Sequence, residues 1–223
     1  MTLTSTDRPL LLGHRGARRH AAENTLAAFD LALQHGCDGF EFDVRRTLDA
    51  RALICHDPRL HSLEVARHAY TELLKRAPDA CSLEDVLVSF ATRAYLNIEL
   101  KVSGLEQQAA DALRKHPPER GFVISSFSSE VLTTVSNIDP HIPTGFICDR
   151  QRELARWTRL QCDVLVPNHD LTTPSLVHEV HAANKKIIVW TVNQEARMRT
   201  LAEWGVDAII SDDTALLAHT FRR

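Results

Sequence analysis

The chain of 223 residues has no apolar run long enough to cross a bilayer, for which a helix needs roughly 20 such residues in succession. No membrane span is expected. Its start, Met1-Thr2-Leu3-Thr4-Ser5-Thr6-Asp7-Arg8-Pro9, lacks the basic cluster and apolar stretch of a secretory signal, so the expected compartment is the cytoplasm. Cysteine is sparse as well. Cys37, Cys55, Cys81, Cys148 and Cys162 are odd in number, far apart and never in a Cys-x-x-Cys. They indicate neither a disulfide framework nor a thiolate metal site, and most are read as small buried hydrophobes. An excess of one charge is missing too: 26 Lys and Arg against 29 Asp and Glu give a net charge of -3, without a footprint for nucleic acid or an anionic membrane surface. A small molecule is the expected partner, bound by a monomer or homodimer.

What is present, 44% hydrophobic and 25% charged residues, suits one globular domain over 1–223 with a full core. An aliphatic strand at 10–13 runs into His14-Arg15-Gly16, and Glu23-Asn24-Thr25 opens an amphipathic helix closed by Gly36. The strand Gly39-Phe40-Glu41-Phe42-Asp43 follows, then an extended piece at 53–58 stopped by Pro58. A short irregular segment occupies 59–81 before Ser82 caps a helix that leads to a strand at 95–101. Helices at 105–116, 130–137, 152–160, 174–184 and 195–204 then alternate with strands at 122–126, 144–148, 164–167, 187–191 and 208–210. A closing helix starts near Asp213. About eight strand-helix units of this kind predict an α/β fold, a (β/α)8 TIM barrel, whose parallel strands are apolar on both faces where helices cover them. A doubly wound open sheet has the same alternation, but no Gly-x-Gly-x-x-Gly follows the first strand.

Two strands break the apolar pattern. Successive side chains of a strand point to opposite faces, so Glu41 and Asp43 share one face and Phe40, Phe42 and Val44 the other. In Tyr95-Leu96-Asn97-Ile98-Glu99-Leu100-Lys101 the same alternation puts Asn97, Glu99 and Lys101 together. Carboxylates converging beside an apolar wall require a shared proton or a cation between them. Oxygen ligands without cysteine favour one hard divalent cation, Mg²⁺ or Ca²⁺, over Zn²⁺. Set against Glu41, Asp43 and Glu99, such a cation together with Arg15 and Lys101 leaves about one positive charge, enough to hold a phosphodiester. Chemistry in a barrel of this type sits at the C-terminal strand ends. His14 and His56 lie there, as do Ser125, Ser126, Asn168, His169, Trp190, Asn193, Ser211 and Asp212. Two imidazoles on opposite sides of a phosphate can act as base and acid near neutral pH.

Gly13-His14-Arg15-Gly16, Glu23-Asn24-Thr25, Glu41-Phe42-Asp43, His56-Asp57 and Asn97-Ile98-Glu99-Leu100-Lys101 resemble, in order and spacing, the glycerophosphodiester phosphodiesterase family. Trp190-Thr191-Val192-Asn193 and the run from Gly205 to Asp212 resemble its last two strands, so the likeness covers nearly the whole chain. It implies a phosphatidylinositol-phospholipase-C-like barrel that hydrolyses glycerophosphodiesters to glycerol 3-phosphate and an alcohol. By the same resemblance Glu41, Asp43 and Glu99 hold Ca²⁺ or Mg²⁺, and His14 and His56 are the acid/base pair. Arg15 and Lys101 bind phosphate, and Trp190 and His169 face the substrate, with Asn24 a further candidate. The chain departs from the family in having only a brief segment after His56-Asp57, and in lacking the usual glycine after the aspartate of Thr47-Leu48-Asp49-Ala50-Arg51. Rival readings on the same barrel are a lysophospholipase D-like or cyclising phosphodiester lyase, and a non-catalytic phosphodiester-binding protein.

Overall fold

The computed structural model describes residues 8–222, so most of the N-terminal stretch read above for a secretory signal lies outside the described residues. The chain begins with β1 (Leu10–His14), α1 (Leu26–His35), β2 (Gly39–Arg46) and β3 (Ala52–Ile54). A small excursion follows, made of β4 (Arg59–Leu60), β5 (Leu63–Glu64) and α2 (Tyr70–Arg76). Then come α3 (Leu83–Phe90), β6 (Tyr95–Leu100), α4 (Glu106–Lys115), β7 (Phe122–Ser126) and α5 (Ser129–Ile138). The last part comprises β8 (Thr144–Cys148), α6 (Gln151–Leu154), β9 (Val164–Pro167), α7 (Pro174–Ala182), β10 (Lys186–Val189), α8 (Glu195–Glu203), β11 (Ala208–Ser211) and α9 (Thr214–Thr220).

Eight of the strands, β1, β2 and β6 to β11, pair in parallel, and β1 closes the ring by pairing with both β2 and β11. The fold is the eightfold barrel rather than the open sheet. Its apolar matter lies in two places. Outside the strands, Phe40, Phe42 and Val44 of β2 pack under the helices, where Phe40 stacks on Phe29 of α1 at 4.3 Å and meets Phe90 of α3 edge-on at 5.1 Å. Inside, Leu12, Val123, Ile147, Val164, Val166, Ile188 and Ile210 fill the barrel. The alternation read from β2 and β6 therefore holds: their aliphatic faces turn to the helices, and Glu41, Asp43, Asn97 and Glu99 turn inward.

Local signals explain the helix boundaries. Thr25 caps α1 by accepting from the Ala28 N–H at 3.2 Å, and Gly36 ends it at φ 104°, where a side chain is disfavoured. Ser82 and Asp85 form a reciprocal capping box on α3. Two expectations need correction. The helix expected over 152–160 is split into α6 and a 3-10 turn at Trp157–Arg159. It has no side-chain cap and only Leu154 and Trp157 to anchor it, too little buried surface for a continuous helix. The segment at 59–81 is not irregular: the β4–β5 hairpin, a 3-10 turn at Val65–Arg67 and α2 pack Val65, Tyr70 and Leu73 against Leu53 and Cys55. Elements this short are below the length at which hydrophobic periodicity is legible.

β3 stands apart from the barrel, antiparallel to the rim end of β2 with Ile54 opposite Val44. It carries the chain back to the mouth, where Cys55 N–H donates to Asp43 O at 2.9 Å and Arg45 Nε to His56 O at 2.6 Å. All five cysteines are buried and free, as expected, and none of the described helices is long and apolar enough to cross a membrane.

The β2–β3 turn places Ala50 at φ 58°, the left-handed conformation that its missing glycine would adopt without strain. Thr47 Oγ1, bonded to Asp49 Oδ1 at 2.6 Å and accepting from Arg51 N–H at 3.0 Å, holds the turn nonetheless. Ala50→Gly should therefore raise unfolding stability by about 0.5–1 kcal/mol in a urea titration, and a loss of stability would contradict this reading. Gly39 is the opposite case: a Cβ there would lie 1.9 Å from Tyr95 O across the β2–β6 pair, so Gly39→Ala should fail to give soluble, cooperatively melting protein.

Candidate active site

At the C-terminal mouth of the barrel lies a cavity of about 240 Å³ with two unlike walls. His14, Arg15, Glu41, His56, Asn97, Glu99 and Lys101 form one; Phe127, Ile147, Val166, Trp190 and Ile210 form most of the other. The division follows the strands. β1, β2 and β6 contribute inward polar side chains, whereas β8 to β11 contribute aliphatic ones and Trp190.

Strand register assembles the acidic group. His14 pairs with Glu41 and Glu41 with Asn97, while Asp43 pairs with Glu99, so side chains on one face become lateral neighbours. Ligand atoms of Glu41, Asp43 and Glu99 lie within 4.8 Å of one another, and all three residues are buried. Burial pushes the Glu41 carboxyl well above the usual range, and Asp43 and Glu99 add to the shift. Burial likewise raises Glu99 to about 7, against the pull of Lys101. Asp43 behaves differently: burial raises it, but Lys101, Asn24 and Arg15 outweigh that and hold it below its ordinary value. Asn24 Nδ2 donates to Asp43 Oδ2 at 2.9 Å, and Lys101 Nζ sits 3.3 Å from Asp43 Oδ1 and 2.7 Å from Glu99 Oε1. Arg15 is tied on several sides, with its backbone N–H on Glu41 Oε2 at 3.0 Å, its guanidinium on Glu23 at 2.8 Å and its Nε 3.3 Å from Asp43 Oδ2. Its own φ of 53° bends the loop after β1 so that the backbone N–H turns toward Glu41.

Each histidine is held through Nδ1. His14 Nδ1 lies 2.6 Å from Asp212 Oδ1, and Asp212 accepts in turn from Asn193 Nδ2 at 2.7 Å. Nε2 of His14 is then left toward the acidic group, 3.9 Å from Glu41 Oε2. His56 Nδ1 lies 2.7 Å from Asp57 Oδ1, and burial holds this imidazole below its ordinary pKa, with Asp43 pulling the other way. Cys55, adjacent to His56, is no nucleophile, because burial pushes its thiol up to about 11.

Of the residues expected from sequence, His14, Arg15, Glu41, His56, Glu99, Lys101 and Trp190 line this cavity, and Asp43 lies buried beside Glu41 and Glu99. His169 does not line it. It begins a 3-10 turn in which its N–H donates to Trp190 O at 2.7 Å, its carbonyl accepts from Arg197 and its Nδ1 lies 3.2 Å from Asp170. A position just beyond a strand end does not by itself place a polar residue in the cavity lining. Phe127 has no assigned role in the sequence reading. Its ring meets Trp190 edge-on at 5.8 Å and lies 5.7 Å from Lys101 Nζ, and the available signal is an aromatic residue directly after Ser125-Ser126 at a strand end. Trp190 is itself fixed by its Nε1–H on Val166 O at 2.9 Å.

The model of the Glycerophosphoryl diester phosphodiesterase family matches residues 14–216. A glycerophosphodiester phosphodiesterase of Caldanaerobacter subterraneus is 28% identical, with 96% of this chain and 98% of that one covered. Among solved structures, a glycerophosphodiester phosphodiesterase of Agrobacterium tumefaciens superposes with a TM-score of 0.82 at 26% identity, covering 95% and 99% of the two chains. An Oleispira antarctica phosphodiesterase, in complex with its product sn-glycerol-3-phosphate, superposes with a TM-score of 0.81 at 25% identity over 96% of each chain. With the buried acidic group, both histidines and seven of the eight barrel strands within the matched span, the chain belongs to the glycerophosphoryl diester phosphodiesterase family of enzymes.

Proposed function

We propose that this enzyme hydrolyses glycerophosphodiesters to glycerol 3-phosphate and an alcohol by histidine acid/base catalysis at a divalent-cation site. The observation that carries the reading is one cavity in which Glu41, Asp43 and Glu99 converge beside two carboxylate-held imidazoles and the cations Arg15 and Lys101. The bound glycerol 3-phosphate of the Oleispira antarctica relative supports the substrate class.

The acidic group fits a cation on its own chemistry. Glu41 Oε1 is buried without a hydrogen-bond partner among the described residues, and burial together with the neighbouring carboxylates drives the Glu41 and Glu99 carboxyls upward, a cost that a cation among them would relieve. Glu41, Asp43 and Glu99 would hold Mg²⁺ or Ca²⁺, both of which take carboxylate oxygens. When bound, the cation supplies Lewis-acid polarisation of a phosphate oxygen and lowers the pKa of a nearby hydroxyl.

Arg15 and Lys101 orient the phosphodiester by charge-assisted hydrogen bonds. A glycerol hydroxyl attacks phosphorus, one histidine takes its proton at Nε2, and the other gives a proton to the departing alcohol oxygen as the phosphorus–oxygen bond breaks. Water then opens the resulting cyclic phosphate with the two histidines in exchanged roles. Asp212 and Asp57 fix the ring orientations that this exchange needs, and the apolar wall of Ile147, Val166 and Ile210 limits water near the reacting atoms.

His14→Ala and His56→Ala should each lower kcat on glycerophosphocholine by about 10²–10⁴, with the melting temperature kept within a few degrees; near-normal turnover in both variants would defeat the assignment. Mg²⁺ or Ca²⁺ added to EDTA-stripped protein should raise its melting temperature, as any ligand of the folded state does. Glu41→Gln should abolish that rise, and a rise of equal size in the variant would remove Glu41 from the cation site.

A further inference from the structure

Asn97 is left unexplained by the chemistry above. It is 1% exposed, it lines the cavity, and its Nδ2 is buried with no hydrogen-bond partner among the described residues. A buried amide donor left unpaired costs on the order of 1–3 kcal/mol, so a native site that retains one has it waiting for an acceptor. Which end of the amide faces the cavity is fixed from behind. Ser125, fully buried on the neighbouring strand, donates its Oγ–H to Asn97 Oδ1 at 2.6 Å, and this leaves the NH₂ end free.

Two features say what kind of oxygen it meets. The first is depth: Asn97 precedes Lys101 by four residues on the same strand, which at about 3.3 Å per residue sets it well below Lys101, level in the strand register with Glu41 and His14. The second is its neighbour. Asn97 pairs in register with Glu41, whose Oε1 is also buried and unpartnered among the described residues; Arg15 Nε and Glu99 Oε1 of the same wall lack hydrogen bonds too but sit in ion pairs with Asp43 and Lys101, so an orphan donor has an orphan acceptor as its register neighbour. A hydroxyl both donates and accepts, whereas the oxygens of an ionised phosphodiester only accept. Ile147 and Val166, paired in register on β8 and β9, supply apolar surface in the same cavity for the carbons that bear such a hydroxyl.

We propose that Asn97 is a specificity-determining residue that donates Nδ2–H to a hydroxyl of the glycerol moiety, and that Ser125 is the positioning residue that holds its amide for this contact. The proposal rests on the glycerophosphodiester reading of the site. It makes the enzyme selective for phosphate esters of polyols over esters of simple alcohols, because an analogue without the hydroxyl leaves the amide unpaired.

The test compares sn-glycerol 3-phosphate with n-propyl phosphate, which has the same carbon chain without the two hydroxyls, by titration calorimetry with Mg²⁺ in every sample. Wild-type protein should bind glycerol 3-phosphate the more tightly. Asn97→Leu, close to Asn in volume, should weaken glycerol 3-phosphate roughly tenfold while n-propyl phosphate changes by less than about twofold. Ser125→Ala should give a smaller loss with the same selectivity, and it carries the test if Asn97→Leu does not fold. Equal weakening of both ligands, or of neither, overturns the proposal. The two readings fail separately: wild-type protein that hydrolyses glycerophosphocholine alongside an unselective Asn97→Leu sinks only the role of Asn97. Wild-type protein that neither hydrolyses it nor binds glycerol 3-phosphate sinks both.

Discussion

Three buried carboxylates whose oxygens lie within 4.8 Å of one another set the terms for the rest of this molecule. Isolated in a low-dielectric interior they repel, and the directions of their pKa shifts record that cost: Glu41 and Glu99 are driven up, and Asp43 is held below its ordinary value, against burial, by Lys101, Asn24 and Arg15. A wholly apolar barrel interior would be easier to fold. The polar sector on β1, β2 and β6 is therefore an interruption of a core that Leu12, Val123, Ile188 and Ile210 otherwise complete, and the cavity opens where the interruption meets the mouth.

Around that acidic group several of the side chains proposed to react or bind have a second residue that fixes them. Asp212 holds His14 and is itself held by Asn193; Asp57 holds His56; Glu23 holds Arg15; Asn24 holds Asp43; Ser125 holds Asn97. Asp57 and Glu23 are near their partners in the chain, whereas His14 and Asp212 are 198 positions apart. Closure of the ring between β11 and β1 is what brings that pair together, so the geometry of the site depends on the barrel being complete. Preorganisation of this kind is what allows a hydrogen-bonded imidazole to work on arrival of substrate, without rearrangement.

The segment after His56 illustrates how little additional structure the barrel carries. A two-stranded hairpin, a 3-10 turn and α2 seal Leu53, Cys55 and Tyr70 beside the rim, and β3 extends β2 beyond the closed sheet to deliver His56. The strained Ala50 in the β2–β3 turn is tolerated because Thr47 and Asp49 supply the hydrogen bonds that define the turn.

Much of this was legible beforehand. The period-2 alternation of Gly39-Phe40-Glu41-Phe42-Asp43 and of the strand from Tyr95 to Lys101 determined which side chains face inward, because a strand has only two faces. The repeated strand-helix rhythm determined the barrel, and the identities of the acids and histidines determined the class of chemistry. Tertiary structure decided what spacing along a chain cannot carry. It brought Asp212 to His14 and Phe127 to Trp190, kept His169 out of the cavity lining, and left Asn97 Nδ2 and Glu41 Oε1, on register neighbours, without hydrogen-bond partners among the described residues. Alternation fixes the face of a side chain, whereas its neighbour across the sheet depends on inter-strand register, which exists only once the ring has closed.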